Sequence, residues 1–234
     1  MNISNSFLSR NLLVAIALSP SVALAQVGTA TFTWQASTDG GQTWQSNLIE
    51  VDQVVRDLRV RGWFDWSPDA GVALFNTTFD CTISSMSNGD IATDPSRRAP
   101  FTSFHQQSLV ATRFGNVIKV DDERDTAPPG VGTRGVTNNQ LWRDAGLPYT
   151  EDRPLSLLSF TFRLSGDLGD RTIDSSFGLA PTTDYRPRLF TSRSSSASNQ
   201  PLTTTVPLTI RVVPAPGAAA FMTLGMLAAS RRRR

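Results

Sequence analysis

The chain has 234 residues, 39% of them hydrophobic and 18% charged, which suits one globular domain with appendages and excludes a collagen-like or wholly disordered chain. Residues 26–213 hold 17 of the 22 basic residues and all 20 acidic residues, a net charge of −3 that argues against a nucleic-acid partner. Because Cys81 and His105 are the only cysteine and histidine, an internal disulfide and a two-histidine metal site are excluded.

The first 25 residues have the pattern of a secretory signal peptide. A sparsely charged start carrying Arg10 leads into an apolar run at residues 12–18, and Ala23 and Ala25 form the small-x-small pattern that signal peptidase accepts. We expect signal peptidase to cleave before Gln26, which would make this an exported protein. The alternative is a buried N-terminal helix, which Pro20 would interrupt.

Between residues 26 and 212 the apolar residues recur with a period of two, which is typical of strands with one buried face. Turn signals rich in Gly, Pro, Asn and Asp separate these runs. The predicted strands cover residues 30–34, 60–66, 73–81, 158–164 and 206–212, with shorter candidates at residues 109–114, 117–120 and 172–174. We predict an all-β domain, an antiparallel two-sheet β-sandwich with long loops at residues 89–107 and 121–153, and a short helix at residues 138–144.

One strand-turn-strand segment within this domain resembles cohesin-like secreted sandwiches. It reads Gly-Trp-Phe-Asp-Trp at residues 62–66, turns at Gly71 and continues as an alternating strand that ends at Asp80. The resemblance implies a cohesin-like or immunoglobulin-like fold. It implies no function, because one fold serves many.

A single Asp-box pattern, Ser-x-Asp-x-Gly-x-Thr-Trp, precedes this segment. Its defined positions are Ser37, Asp39, Gly41, Thr43 and Trp44. The pattern resembles that of sialidases and other β-propellers, but a propeller would need several copies at regular spacing. We therefore predict a structural hairpin in which Asp39 accepts hydrogen bonds from its own turn and Trp44 covers the hairpin.

A run of acidic residues is the candidate metal site. It comprises Asp121, Asp122, Glu123 and Asp125. Carboxylate oxygens at this density suit Ca²⁺, yet Thr126 and Gly132 stand where an EF-hand loop needs glycine and glutamate. We interpret the run as a solvated loop, keep calcium as the alternative, and predict no other cofactor.

Five tryptophans raise the alternative of a carbohydrate- or protein-binding module. Trp34 and Trp66 lie in alternating runs and should point into the core, which leaves Trp44, Trp63 and Trp142 for the surface. An exposed aromatic patch of this kind could bind an extracellular polysaccharide. Two or more tryptophans on one exposed face would favour this alternative.

A secreted hydrolase is a third hypothesis. His105 has no Gly-x-Ser-x-Gly elbow to pair with, so the sequence supports no serine triad. Carboxylate pairs such as Asp65 with Asp80, or Asp121 with Asp125, would have to lie about 5–9.5 Å apart in a cleft to serve a glycosidase. We predict no catalytic residues.

Residues 213–234 form a second terminal signal, in which an apolar run at residues 218–229 lies between a proline-containing segment and a cluster of arginines. These elements are Pro214, Ala215, Pro216 and Gly217 in front, and Arg231, Arg232, Arg233 and Arg234 behind. A helix over residues 217–230 would reach only ~21 Å, against a hydrocarbon core of ~30 Å. The arginines would hold this end in the cytoplasm by the positive-inside rule.

This tripartite tail resembles the PEP-CTERM sorting signal of bacterial exported proteins, although Ala215 stands where that family usually has glutamate. The resemblance implies recognition and cleavage by a membrane protease, exosortase, and delivery to the cell surface or extracellular matrix. A plain C-terminal membrane anchor is the alternative. Together the two ends predict an exported envelope protein, at least transiently anchored in the inner membrane, whose body at residues 26–212 has a non-enzymatic, structural or adhesive role.

Overall fold

The computed structural model describes residues 28–97, 108–129, 135–139, 153–177, 186–192 and 198–215. These residues form strands and no helix, and therefore no helix that could span a membrane, so the all-β prediction is confirmed. The strands are β1 (Thr29–Ser37), β2 (Gln45–Ser46), β3 (Leu48–Asp52), β4 (Arg56–Trp66), β5 (Ala73–Ser84), β6 (Ile91–Ser96), β7 (Leu109–Phe114), β8 (Val117–Asp122), β9 (Val136–Asn139), β10 (Leu155–Leu164), β11 (Gly169–Phe177), β12 (Arg188–Phe190), β13 (Ser198–Asn199), β14 (Leu202–Val206) and β15 (Leu208–Val213).

Two sheets face each other across one core, as a β-sandwich requires. The first sheet has the order β14-β1-β4-β10-β6, with β2 beside β1. The second has the order β13-β12-β5-β11-β15-β3. In addition, β8 and β9 pair with the edge of β5 that is opposite β11. Most strand pairs are antiparallel, whereas β1 pairs with β14 and β15 pairs with β3 in parallel. The sandwich is therefore mixed rather than purely antiparallel.

The alternating side chains fill the core as predicted. Phe162 and Ile210 are fully buried and Phe160 is 2% exposed. Phe32 of the first sheet lies 4.8 Å, centroid to centroid, from Phe79 of the second, a contact typically worth ~0.5–1.5 kcal/mol beyond the burial of its area. The two sheets thus meet along a dry aromatic interior.

The predicted strand at residues 206–212 is in fact two strands in different sheets. Val206 ends β14 in the first sheet and Leu208 begins β15 in the second. Pro207 lies between them, exposed, and has no N–H to donate to a ladder. The chain therefore leaves one sheet at Pro207 and enters the other.

Several predicted loops contain strands whose sequences lack alternation. β6 lies within the loop predicted at residues 89–107, and its mostly exposed residues give no period-two signal. The helix predicted at residues 138–144 is wrong at its start, because Asn138 and Asn139 belong to β9 and pair with β5. Residues 140–144 lie outside the described residues.

Candidate functional site

The outer face of the first sheet presents a row of polar and aromatic side chains along β4. The core takes alternate residues of this strand, beginning with Leu58 and Val60, so the intervening side chains point away from the core. We call this row, Asp57, Arg59, Arg61, Trp63 and Asp65, the β4 face. From Asp57 to Trp63 it extends ~20 Å at the usual rise of ~3.3 Å per residue.

An arginine between two indole rings marks the middle of the β4 face. The guanidinium carbon of Arg61 lies 3.7 Å from the ring centroid of Trp63 and 4.0 Å from that of Trp44. Its Nε donates to Gln35 Oε1 at 2.8 Å, across the β1–β4 pairing. Partial burial lowers the pKa of Arg61 from its ordinary value, but a guanidinium stays charged at any physiological pH. The stack therefore fixes a cation on an accessible surface.

The turn at residues 37–44 holds Trp44 over Arg61. Asp39 accepts hydrogen bonds from the hydroxyls of Ser37 and Thr43, each at 2.6 Å, and from two backbone N–H groups of the turn. These hydrogen bonds, led by that from Ser37, hold the pKa of Asp39 well below its usual range. Trp44 Nε1 donates to the Gly41 carbonyl at 3.0 Å. The polar contacts of the turn are thus internal, and they orient the indole.

A groove of about 360 Å³ lies beside the stack on the same face. Its lining residues come from the turn, β4, β6 and β10: Gly40, Asp57, Leu58, Arg59, Ile91, Thr93, Asp94, Thr161 and Arg163. Arg163 binds Asp57 with two hydrogen bonds, at 2.7 and 3.0 Å, so these two charges compensate each other. Arg59 is exposed and has no hydrogen bond or ion pair within the described residues. The groove thus contains one guanidinium that forms no ion pair with any residue the structure describes.

The acidic run occupies a different place, on the outer side of the second sheet. Asp121 and Asp122 are 2% exposed and Asp125 is 8% exposed, so the prediction of a solvated loop is wrong for all three; Glu123 is exposed. Lys119, itself 1% exposed, compensates two of these carboxylates, because its Nζ lies 2.7 Å from Asp121 Oδ2 and 3.3 Å from Asp125 Oδ2.

The ammonium group of Lys119 sits where a calcium ion would need to bind. Asp122 and Asp125 also accept hydrogen bonds from N–H groups of their own turn. Among the residues the structure describes, no three His, Cys, Asp or Glu side chains are grouped so that they could hold a metal. The geometry therefore lends the calcium alternative no support.

Burial dominates the electrostatics of this cluster. It raises the pKa of Asp121 to about 7, against the opposing hydrogen bond from Lys119. The pKa of Lys119 is also raised, because the interactions with Asp121 and the charges of Asp80 and Asp125 outweigh the effect of burial. One ammonium thus serves several carboxylates, and Asp121 carries a proton for much of the time at neutral pH.

The carboxylate pairs of the hydrolase hypothesis are not arranged as that chemistry requires. Asp65 is exposed on the first sheet, whereas Asp80 is buried in the second. Asp121 and Asp125 converge on Lys119 and are buried. Neither pair therefore offers two exposed carboxyl groups between which a glycosidic bond could lie.

A second buried ion pair gave no signal in the sequence. Asp90 and Arg171, 0% and 1% exposed, lie 81 residues apart, and Arg171 Nε donates to Asp90 Oδ2 at 2.9 Å. Asp90 also accepts from the N–H groups of Ser87 and Ser165, at 2.8 and 2.7 Å. Burial alone would raise the pKa of Asp90, but these hydrogen bonds hold it below its ordinary value. Asp90 thus fastens the β5–β6 connection to Arg171 of β11 and to Ser165 of the β10–β11 connection.

The described tryptophans are buried in the core or placed at the surface as the alternation predicted. Trp34 is fully buried and Trp66 is 4% exposed, whereas Trp44 and Trp63 are half-buried on the β4 face. Trp142 and His105 lie outside the described residues, as do the signal segment with Ala23, Ala25 and Gln26, and residues 216–234 of the tail. Pro214 and Ala215 directly follow β15.

Comparison with known proteins identifies no family for this chain. No protein-family model and no curated protein matches the chain. Similar solved structures include the seventh ScaB type I cohesin from Pseudobacteroides cellulosolvens, at 7% identity and a TM-score of 0.44, which covers 80% of this chain and 93% of that one. CaCohA2 from Clostridium acetobutylicum is 9% identical, with a TM-score of 0.42 and coverage of 80% and 92%.

A third similar structure is the non-cellulosomal cohesin from the archaeon Archaeoglobus fulgidus, at 12% identity and a TM-score of 0.33, with coverage of 83% of this chain and 96% of that one. At these identities the likeness concerns the fold alone. Any function must be argued from the residues of this chain.

Proposed function

We propose that this chain is an exported, non-enzymatic β-sandwich of the bacterial cell surface or extracellular matrix, and that it adheres to a partner through the β4 face. The observation that carries the proposal is the fixed Trp44–Arg61–Trp63 stack beside a groove with an uncompensated Arg59. Tryptophan and arginine are the side chains most enriched where binding energy concentrates at interfaces.

Sorting by the two terminal segments belongs to the same proposal. The signal-peptide pattern at residues 1–25 and the PEP-CTERM-like tail at residues 213–234 support export, with signal peptidase and an exosortase-type protease as partners during transit. The tail also supports transient anchoring in the inner membrane by its short apolar run.

A non-enzymatic role is supported by how the described carboxylates are used. Asp57, Asp90 and Asp170 bind arginines, and Asp121 and Asp125 bind Lys119. Side chains used in this way stabilise the fold and are not poised as an acid–base pair facing a cleft. Adhesion therefore explains the exposed features better than hydrolysis does.

Intact-mass analysis of the protein recovered from its own host tests the sorting proposal. We expect loss of the 25 residues that precede Gln26 together with about 20 residues of the tail. A mass that retains the tail would contradict exosortase cleavage and leave a membrane anchor. A retained N-terminus would contradict export by signal peptidase.

Cosedimentation with the matrix and envelope fraction of the host tests adhesion through the β4 face. We expect the wild-type protein to bind this fraction and Trp63→Gln to bind several-fold less, because the substitution removes one ring of the stack. Arg211→Gln is the matched control, since Arg211 lies in an exposed ion pair on the second sheet. Equal binding by all three proteins would contradict this function of the β4 face.

A further inference from the structure

We propose that the groove of the β4 face binds an anionic polysaccharide, with Arg59 and Arg61 as the side chains that hold its oxyanion groups. This inference rests on the proposed adhesive function and names the chemical class of the partner. The ligand is a sugar chain bearing carboxylate or sulfate groups.

Two arginines with unused donors are alternate residues of the same strand. Arg59 and Arg61 are alternate residues of β4, so both point outward from the same face, ~6–7 Å apart along the strand. Arg59 has no acceptor within the described residues, and Arg61 uses only Nε, on Gln35. In the described part of the chain, the Nη donors of both side chains therefore lack an acceptor. Guanidinium donors match the planar geometry of a carboxylate or sulfate oxyanion.

Arg61 is held in place before any ligand arrives. Trp44 and Trp63 cover the two faces of its guanidinium at 4.0 and 3.7 Å, and Gln35 fixes its Nε. A side chain that is already ordered loses little rotamer entropy when it binds, so more of the contact energy appears as affinity. Within the described residues the Nη groups of Arg61 form no hydrogen bond, so they stay available to an acceptor.

The charge balance within the groove favours an anion at this point. Asp57 is compensated by the two hydrogen bonds from Arg163. Asp94 is the other acidic residue of the lining, and its carboxylate already accepts a hydrogen bond from the Thr93 hydroxyl at 3.0 Å. Arg59 in the lining and Arg61 next to it on β4 thus bring two positive charges to the site, against the one exposed carboxylate of Asp94 in the lining.

The remaining lining suits hydroxyl groups better than an apolar protein surface. Thr93 and Thr161 supply hydroxyls that both donate and accept, and Asp94 supplies acceptor oxygens. The central part of a protein–protein interface is instead poor in charged residues other than arginine, and this lining contains both Asp57 and Asp94. A polar floor with fixed cations and an adjacent aromatic stack fits an anionic sugar chain.

Affinity electrophoresis of the full chain tests the proposal with four polymers cast into native gels. Alginate supplies carboxylates on a sugar chain, dextran sulfate supplies sulfates, dextran is the neutral sugar control, and poly-L-glutamate is the acidic polypeptide control. We expect retardation by alginate or dextran sulfate, with the stronger of the two identifying the oxyanion, and none by dextran. Salt should weaken the retardation, because part of the attraction is between exposed charges.

The variant Arg59→Gln should weaken binding of the retarding polymer at least fivefold while its melting temperature stays that of the wild type, since the side chain of Arg59 forms no hydrogen bond or ion pair with a described residue. Arg211→Gln, which removes an equal charge from the second sheet, should bind like the wild type. A control variant that loses as much affinity as Arg59→Gln would show unspecific attraction and overturn the site.

Three further results would overturn the inference. The first is no retardation by either anionic polysaccharide, the second is unchanged binding by Arg59→Gln, and the third is equal retardation by poly-L-glutamate, which would point to an acidic protein instead. Cosedimentation with the matrix fraction separates these failures from failure of the proposed function. If that cosedimentation still depends on Trp63, adhesion through the β4 face stands and only the polysaccharide assignment fails.

Discussion

The Asp90–Arg171 pair and the Lys119–Asp121–Asp125 cluster both bury charge, but they differ in how completely the carboxylate is bonded. Asp90 receives Arg171 on one oxygen and a backbone N–H on each. Asp121 receives one backbone N–H, from Asp122, and shares a single ammonium with Asp125, while Asp80 adds a third negative charge nearby. Consequently the pKa of Asp90 is lowered, whereas burial raises that of Asp121 to about 7.

This difference shows that burial alone does not determine the protonation state of a carboxyl group. Donors offset the desolvation of a buried anion only when they are numerous and well placed. Asp90 therefore remains an anion that fastens two connections of the sandwich, while Asp121 is a group whose charge depends on pH. Substitutions at the two sites should have correspondingly different effects on stability.

The largest effect is expected from Arg171→Met. It leaves Asp90 buried without its ion partner and removes the guanidinium donors to Ser87 Oγ and to the carbonyls of Asp167 and Gly169. Removing one member of a buried pair typically costs ~3–5 kcal/mol, because the other charge is left uncompensated. Urea unfolding followed by tryptophan fluorescence measures the loss. A loss below 1 kcal/mol would show that Asp90 finds other partners and that Arg171 does not fasten the β5–β6 connection.

A smaller loss is expected from Lys119→Met. Because Asp121 takes up a proton readily, the cluster can shed charge when the ammonium is removed, and the cost falls to that of unsatisfied polar groups, ~1–3 kcal/mol. The loss should be greater at pH 8 than at pH 5, since protonation of Asp121 is less favourable at the higher pH. The same urea experiment at both pH values measures it. A loss as large as that of Arg171→Met at pH 5 would contradict the contrast between the two sites.

The dependence of stability on pH sharpens the contrast further. The pKa of Asp121 is raised from 3.8 to about 7 on folding, so its contribution to stability is present below pH 4 and is lost as the pH rises to about 7. The lowered pKa of Asp90 acts in the opposite sense, and its contribution is lost as the pH falls below about 4.

The variant Asp121→Asn removes the contribution of Asp121 to the pH dependence of stability and so measures it. Between pH 4 and pH 7, the free energy of unfolding of the wild type should fall relative to that of the variant, by at most ~1.4 kcal/mol per pH unit. Unfolding in urea at intervals of half a pH unit gives both curves. Parallel curves across this range would mean that Asp121 is ionised throughout, like Asp90.

The sequence predicts the core better than the charged sites, for a physical reason. In β10, Leu158, Phe160 and Phe162 alternate with polar residues, and one buried face is enough to specify that pattern. The same period explains in retrospect why Lys119 and Asp121, two residues apart in β8, meet on one side of the sheet. A run of acidic residues read by itself gave only the solvated-loop prediction.

Other contacts depend on pairing register, which local sequence does not contain. Arg61 and Trp63 share a face because they are alternate residues of β4, so that part of the stack could be predicted. Trp44 reaches Arg61 only because β1 ends beside β4, with Ser37 opposite Arg59. Asp90 and Arg171 meet across two sheet connections, and no short-range pattern links them.

The smallest effect is expected from Arg211→Met, which tests whether burial, and not ion pairing as such, causes the contrast. Arg211 donates to Asp170 through Nε and Nη2 at 2.9 and 3.1 Å, and its guanidinium lies 3.6 Å from Glu50, a geometry at least as complete as that of Arg171 with Asp90. Its side chain is 44% exposed, however, so water replaces the lost partner. Exposed pairs of this kind contribute ~0–1 kcal/mol, and added salt should reduce even that contribution. Urea unfolding at low and high salt measures both terms. A loss near that of Arg171→Met would mean that the number of hydrogen bonds, rather than removal from water, sets the cost of breaking an arginine–aspartate pair in this sandwich.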